Sequence, residues 1–386
     1  MSRLLIHDPI YDILIFQVIL IAIVLSNTRT MRRALRHPAP ARFPRVSILV
    51  PARNEERNVE RCIRSLLAQD YSDFEVLALD DESTDRTRAI LEALAGCDAR
   101  LKVLAGRPLE AGWSGKNWAC AQLAAQAAGD LLFFTDADTF HRPGAVRAVV
   151  TAMEGEGADL MSGFPRQEVL TWGEKLLVPF FSWVMYSFTP LALAYRVKLP
   201  ALACAIGQVL VIRRAAYQET GGHQAVRSSI PEDLALARRF AAMGYRWRMM
   251  EVAHLISCRM YRSGREAYAG FAKNLFAAFG FRLVPYLFAW LWLLVLFLKP
   301  VYDLGRYALG SALDVPLAAV LGCIALALVL WLFSYRRLGL PLAPAALYPV
   351  TLLVMEVVAF RSMWLSLTGG LTWKGRSLAC PRARLW

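Results

Sequence analysis

The stretch Leu131-Leu132-Phe133-Phe134-Thr135-Asp136-Ala137-Asp138-Thr139 decides how the chain is read: an apolar run leads directly into two carboxylates one residue apart. Four consecutive apolar side chains suit a strand buried on both faces. Two acids at its exit can hold a hard divalent cation against a bound diphosphate through oxygen ligands. Acidic pairs also arise wherever a strand end meets water, so the pair alone settles nothing. Its surroundings carry the argument.

From Val46 the chain alternates short apolar runs with amphipathic ones. Arg45 to Val50 is a predicted strand, and Arg57 to Ala68 a helix with Val59, Ile63, Leu66 and Leu67 on one face. Phe74 to Leu79 is the next strand, followed by a helix to about Leu94. Leu101 to Leu104 is a third strand, Lys116 to Ala128 a helix, and Asp130 to Thr135 the strand that delivers Asp136. This recurrence predicts an α/β fold, a largely parallel sheet with helices on both faces. Ligands in such sheets bind beyond the carboxyl ends of the strands. Pro51 to Glu55, Asp80-Asp81 and Asp136 to Asp138 all fall on that edge.

Composition adds a membrane. Of 386 residues 56% are hydrophobic, more than a wholly soluble chain of this size carries. Four stretches approach the roughly 20 apolar residues of a spanning helix: Ile10 to Ser26, Pro285 to Leu304, Val315 to Ser334 and Ala343 to Leu367. The predicted organisation is an anchor at 1–27, a basic linker at 28–45, a catalytic domain at 46–274, a membrane region at 275–370 and a basic tail at 371–386. Arg29, Arg32, Arg33, Arg36, Arg42 and Arg45 follow the anchor, whereas Arg3 faces Asp8 before it, so the positive-inside rule puts the domain in the cytoplasm. Lys374, Arg376, Arg382 and Arg384 place the tail inside as well, which three late spans forbid by parity. The last stretch, interrupted by Glu356 and Arg361, is the one expected not to cross.

Within the domain, Leu176 to Tyr195 is nearly as apolar but carries Pro179 and Pro190. A single crossing there would part Asp136 from Asp233, so 174–200 is read as an interfacial segment with Trp183, Tyr186 and Tyr195 at the membrane surface. A buried helix pair of the domain core is the competing reading. The formal charge of +13, from 44 basic against 31 acidic residues, gathers beside apolar segments; that favours anionic lipid over nucleic acid as a partner. Seven cysteines without metal-ligand spacing read as reduced thiols.

The motifs Pro51-Ala-Arg-Asn-Glu55, Asp80-Asp-Glu-Ser-Thr-Asp85, Gly115-Lys-Asn-Trp118, Asp136-Ala-Asp138, Thr220-Gly-Gly-His223 and Pro231-Glu-Asp233, in this order, resemble the family 2 glycosyltransferases. Gly112-Trp-Ser-Gly-Lys-Asn117, Cys258-Arg-Met-Tyr-Arg262 and Thr372-Trp-Lys-Gly-Arg376 sharpen the resemblance toward membrane-bound bacterial members acting on lipids, such as the diaponeurosporenoate (carotenoid) and hopanoid-associated glycosyltransferases. The resemblance implies a GT-A catalytic domain with one N-terminal and about three C-terminal membrane helices, lodged in a bacterial plasma membrane. It implies donor contacts from Pro51, Ala52, Asn54, Glu55, Asp80, Asp81, Lys116 and Asp136. It assigns Mn²⁺ or Mg²⁺ to Asp138 with Asp136, and a general base to Asp233, with Glu232 as the alternative.

The implied function is transfer of one sugar, with inversion, from a nucleotide-sugar donor, expected to be a UDP-sugar, to a membrane lipid acceptor. The Gln-x-x-Arg-Trp motif of processive members is missing; the corresponding region reads Arg265-Glu-Ala-Tyr-Ala-Gly-Phe-Ala-Lys-Asn274. Arg259, Arg262 and Lys273 could replace its diphosphate contacts or lie at the membrane surface. A polyprenyl-phosphate sugar synthase and an inactive membrane scaffold are the alternatives, the second expecting damaged acids where Asp81, Asp136, Asp138 and Asp233 are intact.

Overall fold

The computed structural model describes residues 8–369, 372–373, 376–377 and 383–386. Its helices are α1 (Ile10–Ala34), α2 (Val59–Leu67), α3 (Thr87–Ala95), α4 (Gly115–Gln126), α5 (Ala145–Glu156), α6 (Trp172–Phe188), α7 (Leu191–Val197), α8 (Arg214–Glu219), α9 (Gly222–Ala225), α10 (Glu232–Ala242), α11 (Gly264–Ala278), α12 (Leu283–Ala308), α13 (Leu317–Arg337) and α14 (Tyr348–Leu367). The strands that build the site are β1 (Val46–Ala52), β2 (Phe74–Asp80), β3 (Leu101–Ala105), β4 (Leu131–Phe134), β5 (Thr139–His141), β6 (Leu160–Phe164), β7 (Arg166–Gln167), β8 (Leu210–Arg213), β9 (Trp247–Glu251) and β10 (Ile256–Cys258).

Seven strands form the main sheet in the order β3-β2-β1-β4-β8-β6-β9. β1 to β4 run parallel, and their buried faces are the apolar runs that the sequence marks as strands. The sheet is largely parallel with one exception: β8 is antiparallel to both β4 and β6. The physical reason lies in the connection, since β8 arrives after the long α6–α7 excursion instead of a single crossover helix. A small sheet, β5-β10-β7, sits beyond the end of β4.

Four helices, Ile10–Ala34, Leu283–Ala308, Leu317–Arg337 and Ala343–Leu367, are long and apolar enough to cross a membrane. Each leaves large apolar side chains bare: Ile15, Leu291, Val329 and Phe360 are more than half exposed, as suits contact with lipid rather than water. The C-terminal half of α14 lies along α11. There Phe276 N donates to Ser362 Oγ at 3.0 Å and Arg361 stands 5.9 Å from the Tyr268 ring, while Tyr286 OH of α12 donates to the Ala359 carbonyl at 2.9 Å. Arg384 pairs its backbone with Phe281 and Leu283, so the last described residues return to the start of α12. Lys374 and Arg382 lie outside the described residues.

The stretch around α6 and α7 is a bent pair, 55° at the break. Thr171 opens α6 with a capping box to Glu174. Trp183 and Tyr186 face inward and are buried: Trp183 stacks on Trp331 of α13 at 3.9 Å, and the Tyr186 hydroxyl bonds Thr28 of α1 at 2.6 Å. It is Trp172, Leu193, Val197 and Leu199 that stay exposed on this segment. The break itself is closed by a side chain from α1. Asn27, fully buried, donates from Nδ2 to the carbonyls of Tyr186 and Thr189, both at 2.8 Å, and accepts from Leu191 N at 3.0 Å. Backbone groups that Pro190 and the bend leave without helical partners are thereby satisfied.

Candidate active site

The three predicted clusters converge at the carboxyl ends of β1, β2 and β4, around a cleft of about 280 Å³. Pro51, Ala52, Glu55, Asp81, Lys116, Asp136, Asp138 and Glu232 line it. Asn54 and Asp80 do not. Asn54 takes a positive φ of 52°, and its Oδ1 accepts from Thr84 N at 2.8 Å, while its own N–H reaches Ser83 Oγ at 2.9 Å. It therefore shapes the loop instead of facing the cleft. Asp80 is buried at the end of β2.

Lys116 is the centre of the charge arrangement. Its Nζ stands 2.7 Å from Asp136 Oδ1 and 2.7 Å from Glu232 Oε1. Burial favours the neutral amine, but the two carboxylates outweigh it and hold the group well above its ordinary pKa, so it stays an ammonium. The next residue explains how the arrangement is held. Asn117, fully buried, donates from Nδ2 to the carbonyls of Val226, Arg227 and Ser229 at 2.7, 3.2 and 3.2 Å. Adjacent residues of α4 thus place a cation in the cleft and anchor the loop leading to Pro231-Glu232-Asp233. Ser114 caps the helix, accepting from Asn117 N.

Asp136 and Asp138 are braced from below. Thr139 Oγ1 donates to the Asp136 carbonyl at 2.8 Å, and Thr135 Oγ1 to the Gln208 carbonyl at 2.8 Å. The Cys258 thiol donates to Asp138 Oδ1 at 3.2 Å. Burial, with the charges of Asp136 and Glu55, pushes the Asp138 carboxyl up to about 7. A carboxylate set among like charges is completed by a cation. Among the described residues no group of three or more His, Cys, Asp or Glu has metal-site geometry. The all-oxygen pair instead fits a hard ion that takes its other ligands from water and a donor's phosphates, as Mg²⁺ characteristically does.

Asp233 is turned differently from Glu232. Its Oδ2 accepts from Gly207 N at 2.6 Å and its Oδ1 from Leu234 N at 2.7 Å. It lines a second chamber of about 190 Å³ beside the first cleft, to which Lys116, Asp136 and Glu232 are common. Burial first, then the Glu232 charge, raises its carboxyl to about 7, against the opposing pull of Lys116. Such a group exchanges a proton readily near neutral pH.

Several participants escape the sequence. Arg53, Tyr261 and Asn274 line the cleft. Arg53 and Tyr261 sit inside motifs already singled out, so their positions carried the signal; Asn274 arrives from α11. Of the three cations proposed to replace the processive motif, Lys273 lines the cleft. Arg259 lies 3.9 Å from buried Glu174, and Arg262 bonds Asn58 and the Arg57 carbonyl. His223 is buried against Tyr217, with burial pushing its pKa down to about 3, a packing role. Six described cysteines are free thiols.

Residues 47–221 match the sequence model of glycosyl transferase family 2. A 4,4'-diaponeurosporenoate glycosyltransferase of Staphylococcus haemolyticus (strain JCSC1435) is 28% identical over 233 residues, covering 60% of this chain and 60% of the relative. One of Staphylococcus aureus (strain MRSA252) is 26% identical over 236 residues with the same coverage. The chain thus spans about 60% of the length of the curated relatives it matches. Among solved structures, a mannosyltransferase from Pyrobaculum calidifontis in complex with GDP-Man and Mn2+ aligns over 92% of this chain and 99% of that one, with a TM-score of 0.52 at 18% identity. That likeness is one of fold. Residues 47–221 thus carry a match to glycosyl transferase family 2, in a chain of GT-A-like fold that resembles the diaponeurosporenoate glycosyltransferases.

Proposed function

We propose that the protein is an inverting, non-processive glycosyltransferase that moves one sugar from a nucleotide-sugar, a UDP-sugar in the first instance, to a membrane lipid. The observation that carries the reading is Lys116 held between Asp136 and Glu232, with Asp138 on the donor side and Asp233 on the other. Pro51, Ala52, Glu55 and Asp81 offer the walls for the nucleoside. Asp136 and Asp138 would hold Mn²⁺ or Mg²⁺, which, when bound, neutralises charge developing on the departing diphosphate.

Asp233 takes the proton as the acceptor oxygen bonds to the anomeric carbon, and the electron pair of the breaking bond leaves with the diphosphate. Two adjoining chambers with a shared wall at Lys116, Asp136 and Glu232, one per substrate, suit a single in-line displacement and hence inversion. Helices long and apolar enough to span a bilayer, and relatives whose name describes a carotenoid-acid acceptor, support a lipid acceptor. The positive-inside pattern supports a cytoplasmic catalytic domain and contact with anionic lipid.

The test is UDP release by detergent-solubilised protein, with Mn²⁺, UDP-glucose, UDP-galactose or UDP-N-acetylglucosamine, and a total lipid extract. Release that needs metal and lipid, and disappears in Asp138→Ala, is expected. No release with any donor, together with no UDP binding, sinks the reading and favours a catalytically silent scaffold.

A further inference from the structure

The second chamber has a chemistry of its own. Asp136, Glu232 and Asp233 line it, and Lys116 is the one cationic side chain among its described lining residues. Arg53 and Lys273 line the donor cleft instead. With Asp136 assigned to the divalent cation, Glu232 and Asp233 stand against Lys116, which already pairs with Glu232, so the chamber's own side chains offer another anion no uncommitted cation. The rest of the lining is mainly apolar: Val178 and Phe181 come from α6, Phe271 and Leu275 from α11, with Ser182 and Asn274 from the same helices beside them.

A polar reader is set into this chamber. Gln167, buried, donates from Nε2 to Gln208 Oε1 at 2.8 Å, and its own Oε1 is buried with no hydrogen-bond partner among the described residues. Swapping both amides would put a Gln167 N–H in the same place. A hydroxyl, which donates and accepts, satisfies either arrangement. An ionised carboxylate or phosphate oxygen only accepts, so it satisfies one arrangement and meets no uncommitted cation besides.

The two helices meet closely at their starts: a Cβ on Gly173 would lie 2.6 Å from Gly264 Cα, so α6 and α11 touch there backbone to backbone. The chamber is therefore bounded by two helices that meet at one end, and α6 continues from it to the aromatic packing against α13.

We propose that this chamber receives the reacting end of an uncharged, hydroxyl-bearing lipid, with Gln167 reading the hydroxyl near Asp233 and the α6–α11 walls holding the adjoining hydrocarbon. It rests on the glycosyl-transfer reading above and narrows the acceptor class within it, away from polyprenyl phosphates and carotenoid acids.

The experiment offers full-length protein in mixed micelles a polyprenol, the matching polyprenyl phosphate and the matching polyprenoic acid, with Mn²⁺ and the donor that the protein turns over. UDP binding and slow donor hydrolysis are recorded in parallel. The alcohol is expected to be glycosylated about a hundredfold more efficiently than either anion. Gln167→Leu should cut kcat/KM for the alcohol about tenfold or more, and Val178→Trp should abolish transfer, both with UDP binding unchanged. Equal or better use of the phosphate or the acid overturns the proposal, as does full transfer in Val178→Trp. Loss of UDP binding in either variant also overturns it, because the chamber would then belong to the donor. Absence of both UDP binding and donor hydrolysis in the wild type is a different failure, that of the glycosyl-transfer reading itself.

Discussion

Replacing Asp233 with asparagine removes a proton acceptor while keeping nearly the same volume. In the wild type the two carboxylate oxygens accept from Gly207 N and Leu234 N, of which asparagine keeps one; because the residue lies off the first cleft, Asp233→Asn leaves UDP affinity unchanged. The wild-type carboxyl, raised to about 7 by burial and by Glu232, is roughly one-tenth ionised at pH 6 and nine-tenths at pH 8. Turnover should therefore rise about tenfold across that interval. Asp138 titrates in the same range, so the profile is taken at saturating Mn²⁺, which keeps that carboxylate ionised. Under these conditions Asp233→Asn should lower kcat by about 10²–10⁴-fold and flatten the remaining limb. The assay is UDP release against pH with a neutral lipid acceptor. A loss below tenfold, or a limb that survives in the variant, would refute Asp233 as the base and point to an acceptor that arrives already ionised.

Three further outcomes follow from geometry. Asp138 has a raised carboxyl in the folded protein, so its contribution to stability is complete below the unfolded value near 4 and is lost as pH rises through about 7. Mn²⁺ binds the ionised form, so the Mn²⁺-induced rise in Tm should grow between pH 5.5 and 7.5, and a rise that shrinks over this range contradicts the assignment. Asn27→Leu strands the Tyr186 and Thr189 carbonyls and the Leu191 N–H, which should cost about 3–6 kcal/mol and be visible as a lower Tm in detergent; an unchanged Tm refutes the account. Gly173→Ala puts a methyl group 2.6 Å from Gly264 Cα and should cost about 1–3 kcal/mol while raising the acceptor KM, with UDP affinity as the control that must not move.

The sequence was most legible where one stretch both folds and reacts. The run from Leu131 into Asp136 and Asp138 shows its strand by apolarity and its chemistry by the acids at its exit. Lys116 and Asp81 were equally readable, since they sit at strand and helix ends. What escaped depends on partners far away in sequence. An apolar run such as Leu210–Arg213 looks the same whether it runs parallel or antiparallel, so the reversal at β8 left no mark. Asn54 and Arg53 stand next to each other in one motif, and only the left-handed turn at Asn54 decides which of them faces the cleft. Trp183 and Tyr186 suited a membrane surface by type, yet α13 and α1 bury them. Gln167 carries no motif at all and acquires meaning only beside Gln208.

The join between α1 and the α6–α7 bend gives the N-terminal helix a part beyond attachment. A flexible tether would let the catalytic domain ride at any height above the lipid. Here Asn27, donating two hydrogen bonds and accepting a third, fastens the helix to the same segment whose Val178 and Phe181 wall the second chamber. With α1 in a bilayer, the distance from headgroup plane to reacting atoms is set by the protein, as on a gauge, and how far up its own length a lipid can be reached becomes a property of one asparagine and one broken helix.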